Sequence, residues 1–189
     1  MNRKHFLCAL GLPLVIAGCK TPEAAVEEHK EIPLSKKSVR SNCYSLLHDL
    51  LSKQRNVSKV LIIKNERLEL KDLIQRIADT SGRGADLIKV FSKVDPAITL
   101  ELTQLPPGEV ATRDAIEAMR TQQLLNTSGR EFETNLLFTQ TESMNYACHL
   151  AKVCAIYEPS GDWSRQLKDL SREFEVLQKQ AVSLLLANR

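Results

Sequence analysis

The chain has 189 residues, with 26 lysines and arginines against 23 aspartates and glutamates and a formal net charge of +3. Opposite charges are interspersed along it, which gives no electrostatic basis for binding nucleic acid. Seven glycines and 5% aromatic residues argue against a β-sandwich, whereas the abundance of Leu, Ile, Glu, Lys, Gln and Ala suits helices.

Arg3 and Lys4 precede an apolar run from Phe6 to Ala17. That run is too short to cross a bilayer as a helix, which needs about 20 apolar residues. A basic start, a short apolar core and small residues at its end form the pattern of a secretory signal. The stretch closes on Val15-Ile16-Ala17-Gly18-Cys19, and Ile16-Ala17-Gly18-Cys19 resembles the lipobox of bacterial lipoproteins. The resemblance implies a diacylglyceryl thioether on Cys19, cleavage between Gly18 and Cys19, and acylation of the new amino terminus. Small residues at 17 and 18 let a peptidase approach the backbone, and a thiol is nucleophilic enough to be alkylated. Two or three acyl chains then hold a protein durably at a membrane. Lys20 follows where an aspartate would retain many lipoproteins at the inner membrane. By that analogy the expected location is the periplasmic face of the outer membrane. Removing the leader takes away Arg3 and Lys4, lowering the net charge by two, to +1.

Residues 20–40 are polar, contain Pro22 and Pro33 and lack a sustained apolar period. They read as a flexible tether, with His29 a lone surface histidine. The expected organisation is a signal peptide over 1–18, a lipidated tether over 19–40 and a helical domain over 41–189.

Ser41 is a good N-cap, and Cys43, Leu46, Leu47, Leu50 and Leu51 recur at helical spacing behind it. This helix either continues through Val57, Val60, Leu61 and Ile63 or breaks near Asn56. The run Val60-Leu61-Ile62-Ile63 suits a strand or a buried helix; the absence of a partner strand favours helix. A second helix is predicted from about Glu66 to Val94, with Leu70, Ile74, Ile77, Ser81, Gly84, Ile88 and Phe91 along one seam. Gly82 and Gly84 each cost about 1 kcal/mol relative to alanine there, which suggests close approach of a neighbouring helix. Asp95-Pro96 ends it.

Pro107 suits the first turn of a shorter third helix carrying Val110, Ile116, Met119, Leu124 and Leu125 and ending near Asn126. The fourth, from about Arg130 to Tyr157, bears two apolar stripes. Phe132, Leu136, Thr139, Ser143, Tyr146, Leu150 and Val153 form one; Leu137, Gln140, Met144, Ala147, Ala151 and Cys154 form the other. So wide a face marks a central helix. After Pro159-Ser160-Gly161, a fifth helix runs from about Asp162 to Ala187. Its seam is Trp163, Leu167, Leu170, Phe174, Leu177, Ala181 and Leu184. Short loops predict an all-α, up-down bundle of four or five helices.

Once Cys8 leaves with the leader and Cys19 is lipidated, Cys43, Cys148 and Cys154 remain. Cys148 and Cys154 sit about 9 Å apart along one helix and point in different directions, so an internal disulfide must join Cys43 to one of them. Three buried, reduced thiols are the alternative.

A bundle invites a di-iron reading, which requires Glu-x-x-His pairs. Ser45 and Tyr146 stand three residues before His48 and His149, so that motif is absent. No Ser-His-Asp order, phosphate-binding glycine loop or HExxH sequence occurs either. A looser set of Gln140, Glu142, Tyr146 and His149 on the fourth helix could line a polar pocket with His48. Leu105-Pro106-Pro107, Gly129-Arg130-Glu131-Phe132-Glu133, Gln140 and His149 together resemble an uncharacterised bacterial family of secreted ferritin-like helical bundles. The resemblance implies a helical bundle over roughly 41–187 and no established activity. The expected function is therefore non-enzymatic: a structural or interaction lipoprotein without cofactor or bound metal, with the membrane and an envelope protein as partners. A metal or redox site near Glu142 and His149, or a pocket for an apolar ligand, are the alternatives.

Overall fold

The computed structural model describes residues 36–187 except 63 and 65. The leader, Cys19, His29 and Ile63 lie outside the described residues. The fold is all-α. Five helices follow one another: α1 (Lys36–Gln54), α2 (Leu68–Val94), α3 (Pro107–Asn126), α4 (Gly129–Tyr157) and α5 (Gly161–Ala187). The β-branched run after α1 forms a 3-10 helix, Val57–Ile62, and no strand occurs among the described residues.

Consecutive helices run in opposite directions, as their contacts show. Arg40, Tyr44 and Leu51 of α1 meet Asp95, Phe91 and Gly84 of α2, so one index rises as the other falls. Arg113 and Arg120 of α3 meet Tyr146 and Glu142 of α4 in the same sense. Ser164 and Ser171 of α5 donate to the carbonyls of Ala155 and Cys148. Helices α1, α2, α5 and α4 pack as a closed ring of neighbours, and α3 lies outside it against α4. The topology requires this. Helices α2 and α4 run in the same direction, so the chain must climb back along the bundle between them. The 20 residues of α3 span about 30 Å, enough for that return.

Burial follows the expected periodicity. Every named seam residue of α2 is buried, and α4 buries both stripes except the half-buried Thr139, Tyr146 and Val153. Leu167, Leu170, Phe174, Leu177 and Ala181 of α5 close the core. Trp163 is only half-buried, with its ring stacked on Phe91 at 4.2 Å between centroids. None of the residues of α3 is buried, and Ile116, Met119 and Leu125 are exposed.

Two local expectations are corrected. Helix α1 begins at Lys36 rather than Ser41, so residues 36–40 belong to the bundle and not to a tether. Ser41 lies buried within the helix and its hydroxyl contacts that of Thr99 at 3.1 Å. The apolar periodicity starts only at Cys43; what holds the earlier turn is an ion pair of Arg40, invisible to a hydrophobic pattern. The glycines also differ from each other. A Cβ on Gly84 would lie 2.7 Å from Leu51 Cδ1 and 3.1 Å from a Leu170 methyl, so this glycine admits side chains of α1 and α5. A Cβ on Gly82 would meet only Arg55, at 3.7 Å.

These two sites should respond oppositely to alanine. Gly82→Ala is expected to raise stability by about 0.5–1 kcal/mol through helix propensity. In Gly84→Ala, overpacking against the buried Leu51 costs about 1–3 kcal/mol and outweighs that gain. Urea denaturation of both variants measures the difference, and equal stabilisation would refute the close packing.

Candidate functional site

The densest buried polar cluster sits where α1 begins and α2 and α4 end. Glu158, just past the last turn of α4, is 8% exposed and both its carboxylate oxygens accept hydrogen bonds. Oε2 accepts from Arg40 Nε at 3.1 Å, Arg40 Nη2 at 2.9 Å and the Tyr44 hydroxyl at 2.6 Å. Oε1 accepts from the Ser160 backbone N–H at 2.9 Å. Ser160 in turn opens α5, its hydroxyl oxygen accepting from the Trp163 N–H. One carboxylate thus joins α1, α4 and the turn into α5.

Arg40 also donates through Nη1 to Asp95 Oδ2 at 2.8 Å. Asp95 Oδ1 accepts from the Ala97 N–H at 2.9 Å, which turns the chain after α2. That backbone bond, reinforced by Arg40, holds the Asp95 carboxyl below its usual range. Burial works against the Arg40 charge, but Glu158 and Asp95 outweigh it and raise its pKa. Burial, then the bond to Glu158, pushes the Tyr44 phenol far above its ordinary range. Both carboxylate oxygens of Glu158 are engaged by protein donors. The cluster is built to hold helices together.

The five residues expected to line a pocket face different neighbours. His48 is half-buried and lies 3.4 Å from Ser52 Oγ on its own helix; burial lowers its pKa. Gln140 is buried in the core, where its Oε1 has no hydrogen-bond partner among the described residues. Glu142 pairs with Arg120, and the Tyr146 hydroxyl accepts from Arg113 Nη2 at 2.8 Å. These two, one helical turn apart, do come together on the face that receives α3. His149 is exposed. The reason is angular. Gln140 points the opposite way around α4 from Glu142, Tyr146 and His149, which share an arc of about 60°, so Gln140 enters the core while the other three stay on the outer side. Among the described residues, no three His, Cys, Asp or Glu side chains are grouped so as to hold a metal ion.

Cys43, Cys148 and Cys154 are all buried and unbridged. Cys154 of α4 lowers the pKa of Cys43 on α1, while burial raises that of Cys154. The Cys148 sulfur lies 3.4 Å from Ser171 Oγ on α5. Sequence reasoning missed Arg40, Tyr44, Asp95 and Glu158 entirely. Arg40 fell in the presumed tether and Glu158 in an interhelical turn; only the Asp95-Pro96 and Glu158-Pro159 stops marked the region.

No protein-family model, curated protein or solved structure matches the chain.

Removing one partner from this cluster strands a buried charge. Glu158→Ala is expected to cost about 3–5 kcal/mol, against about 0–1 kcal/mol for Arg120→Ala on the exposed α3 face. Comparable losses in chemical denaturation would contradict the distinction. Tyr44 adds a pH signature. Its folded pKa is raised, so its contribution is complete below the unfolded value of about 10 and is lost as pH climbs beyond it. Tyr44→Phe should cost about 1–3 kcal/mol at pH 7, and the gap from wild type should narrow above pH 10. A gap that stays constant to pH 11 would show that Tyr44 ionises freely in the folded state.

Proposed function

We propose that this chain is a membrane-anchored bacterial lipoprotein whose helical bundle serves a non-enzymatic, structural or interaction role in the cell envelope. The observation that carries the reading is the leader, with Arg3 and Lys4, the apolar run to Ala17 and the lipobox-like Ile16-Ala17-Gly18-Cys19. Cys19 is the lipidated residue and the attachment to the membrane; Lys20 supports the periplasmic face of the outer membrane. No helix among the described residues is long and apolar enough to cross a membrane.

The disposition of the polar residues supports a scaffold. Glu158 is occupied by Arg40 and Tyr44 of α1 and by the Ser160 backbone ahead of α5, Glu142 by Arg120 and the Tyr146 hydroxyl by Arg113, so these groups serve to join helices. The likeness to ferritin-like bundles rests on Leu105-Pro106-Pro107, Gly129–Glu133, Gln140 and His149. It enters this proposal only as a kinship of architecture.

Cells expressing the wild type with radioactive palmitate should yield a labelled, leader-free protein in the membrane fraction. Cys19→Ser should accumulate as an unlabelled precursor. Normal processing of the wild type without any label would overturn the anchor, and stoichiometric iron or manganese in the purified protein would overturn the scaffold reading.

A further inference from the structure

The antiparallel packing of α1 on α4 keeps one register along much of its length. Arg40 meets Glu158 near one end, and Gln54 meets Ser143 towards the other. Cys43 lies about one turn inward from Arg40 on α1, and Cys154 about one turn inward from Glu158 on α4. The register therefore sets the two cysteines opposite each other within the core. Cys148, nearly two turns further along α4, is directed at α5 instead.

We propose that Cys43 and Cys154 form an oxidisable dithiol that closes to a single disulfide between α1 and α4, leaving Cys148 as a thiol. The oxidant is a disulfide, whether a small molecule or a protein. In the cell its supply rests on the export reading above, but the chemistry of the pair does not.

Cys43 is the entry point: it is 9% exposed, whereas Cys154 is 0% exposed. Cys154 favours the Cys43 thiolate, and burial keeps Cys154 protonated. The Cys43 thiolate attacks one sulfur of the oxidant, forming a mixed disulfide and releasing the oxidant's other half as a thiolate. That thiolate takes up a proton. Cys154 then loses its proton and attacks the Cys43 sulfur. The Cys43–Cys154 bond forms, the bond to the oxidant breaks, and the second half leaves as a thiol after protonation. Two protein thiols are oxidised and one disulfide is reduced to two thiols. The bridge closes a loop from α1 to α4 that includes all of α2 and α3, a strong restraint on the unfolded chain. It also fastens the first helix at the end nearest the proposed anchor.

The test uses the full-length protein in detergent, first reduced and then incubated with oxidised glutathione. Acid quenching, unfolding, alkylation and digestion precede peptide mass spectrometry without reduction. The expected product is a linked Cys43–Cys154 peptide pair two hydrogens lighter than the two thiol peptides, with Cys148 alkylated. The oxidised protein should melt roughly 10 °C above the reduced form. Cys148→Ser should keep that increment and Cys43→Ser should lose it. Because serine in the core can itself weaken folding, the wild-type peptide map is decisive. A bridge containing Cys148, or alkylation of both Cys43 and Cys154 after oxidation, overturns the proposal. A chain that retains its leader in cells yet bridges with oxidised glutathione would remove the export reading and sustain this one. A lipidated, exported chain that stays reduced with oxidised glutathione would do the reverse.

Discussion

A guanidinium removed from water at the start of α1 must find carboxylates, and the arrangement of helix ends follows from that need. Arg40 reaches Glu158 beyond α4 and Asp95 beyond α2, while the Tyr44 hydroxyl also donates to Glu158 Oε2. Such a cluster is not the main source of stability. Apolar residues of the same volume often serve a protein interior equally well or better. Its effect is selective: a shifted pairing of α1 with α4 would leave a buried charge without its partner, at a cost of several kcal/mol. The apolar surfaces pull the helices together, and the ion pair makes one register much better than its neighbours.

That register carries the other contacts between α1 and α4. Cys43 faces Cys154 and the Gln54 amide reaches Ser143 because Arg40 meets Glu158. Across the ring, Gly84 makes room for Leu51 and Leu170, so three helices interlock at one small residue. Close packing of this kind transmits a displacement from one helix to the next, because filled interiors leave little space to absorb it. A cross-link at Cys43 would act within this packed core. It would join the same two helices as the ion pair.

The outer helix follows different physics. Its role as a return path between two parallel, diagonally placed helices leaves it only one surface on which to pack. Its contacts to α4 and α1 are dominated by long polar side chains: Arg113 with Tyr146, Arg120 with Glu142, and Lys53 with Glu117. Exposed pairs of this type are screened by water and contribute little individually. Lys64 supplements them, donating to the Leu125 and Thr127 carbonyls at the end of α3, where a cation also complements the helix dipole. Helix α3 is consequently the least deeply seated of the five, with none of its residues buried.

Helix identity and most helix limits were legible in the residues themselves, because the 3.6-residue apolar period, the glycines and the prolines are local signals. The seams from Leu70 to Phe91 and from Leu167 to Ala181 pointed directly to the core. The start of α1 was not legible, since Arg40 is held by partners 55 and 118 positions away. Nor did the polar set on α4 reveal its partners. Gln140 entered the core, Glu142 and Tyr146 met α3, and His149 remained exposed according to which helix packed on which side. Tertiary structure also set Cys43 opposite Cys154, because a sequence records how many thiols there are but not which of them the helix register aligns.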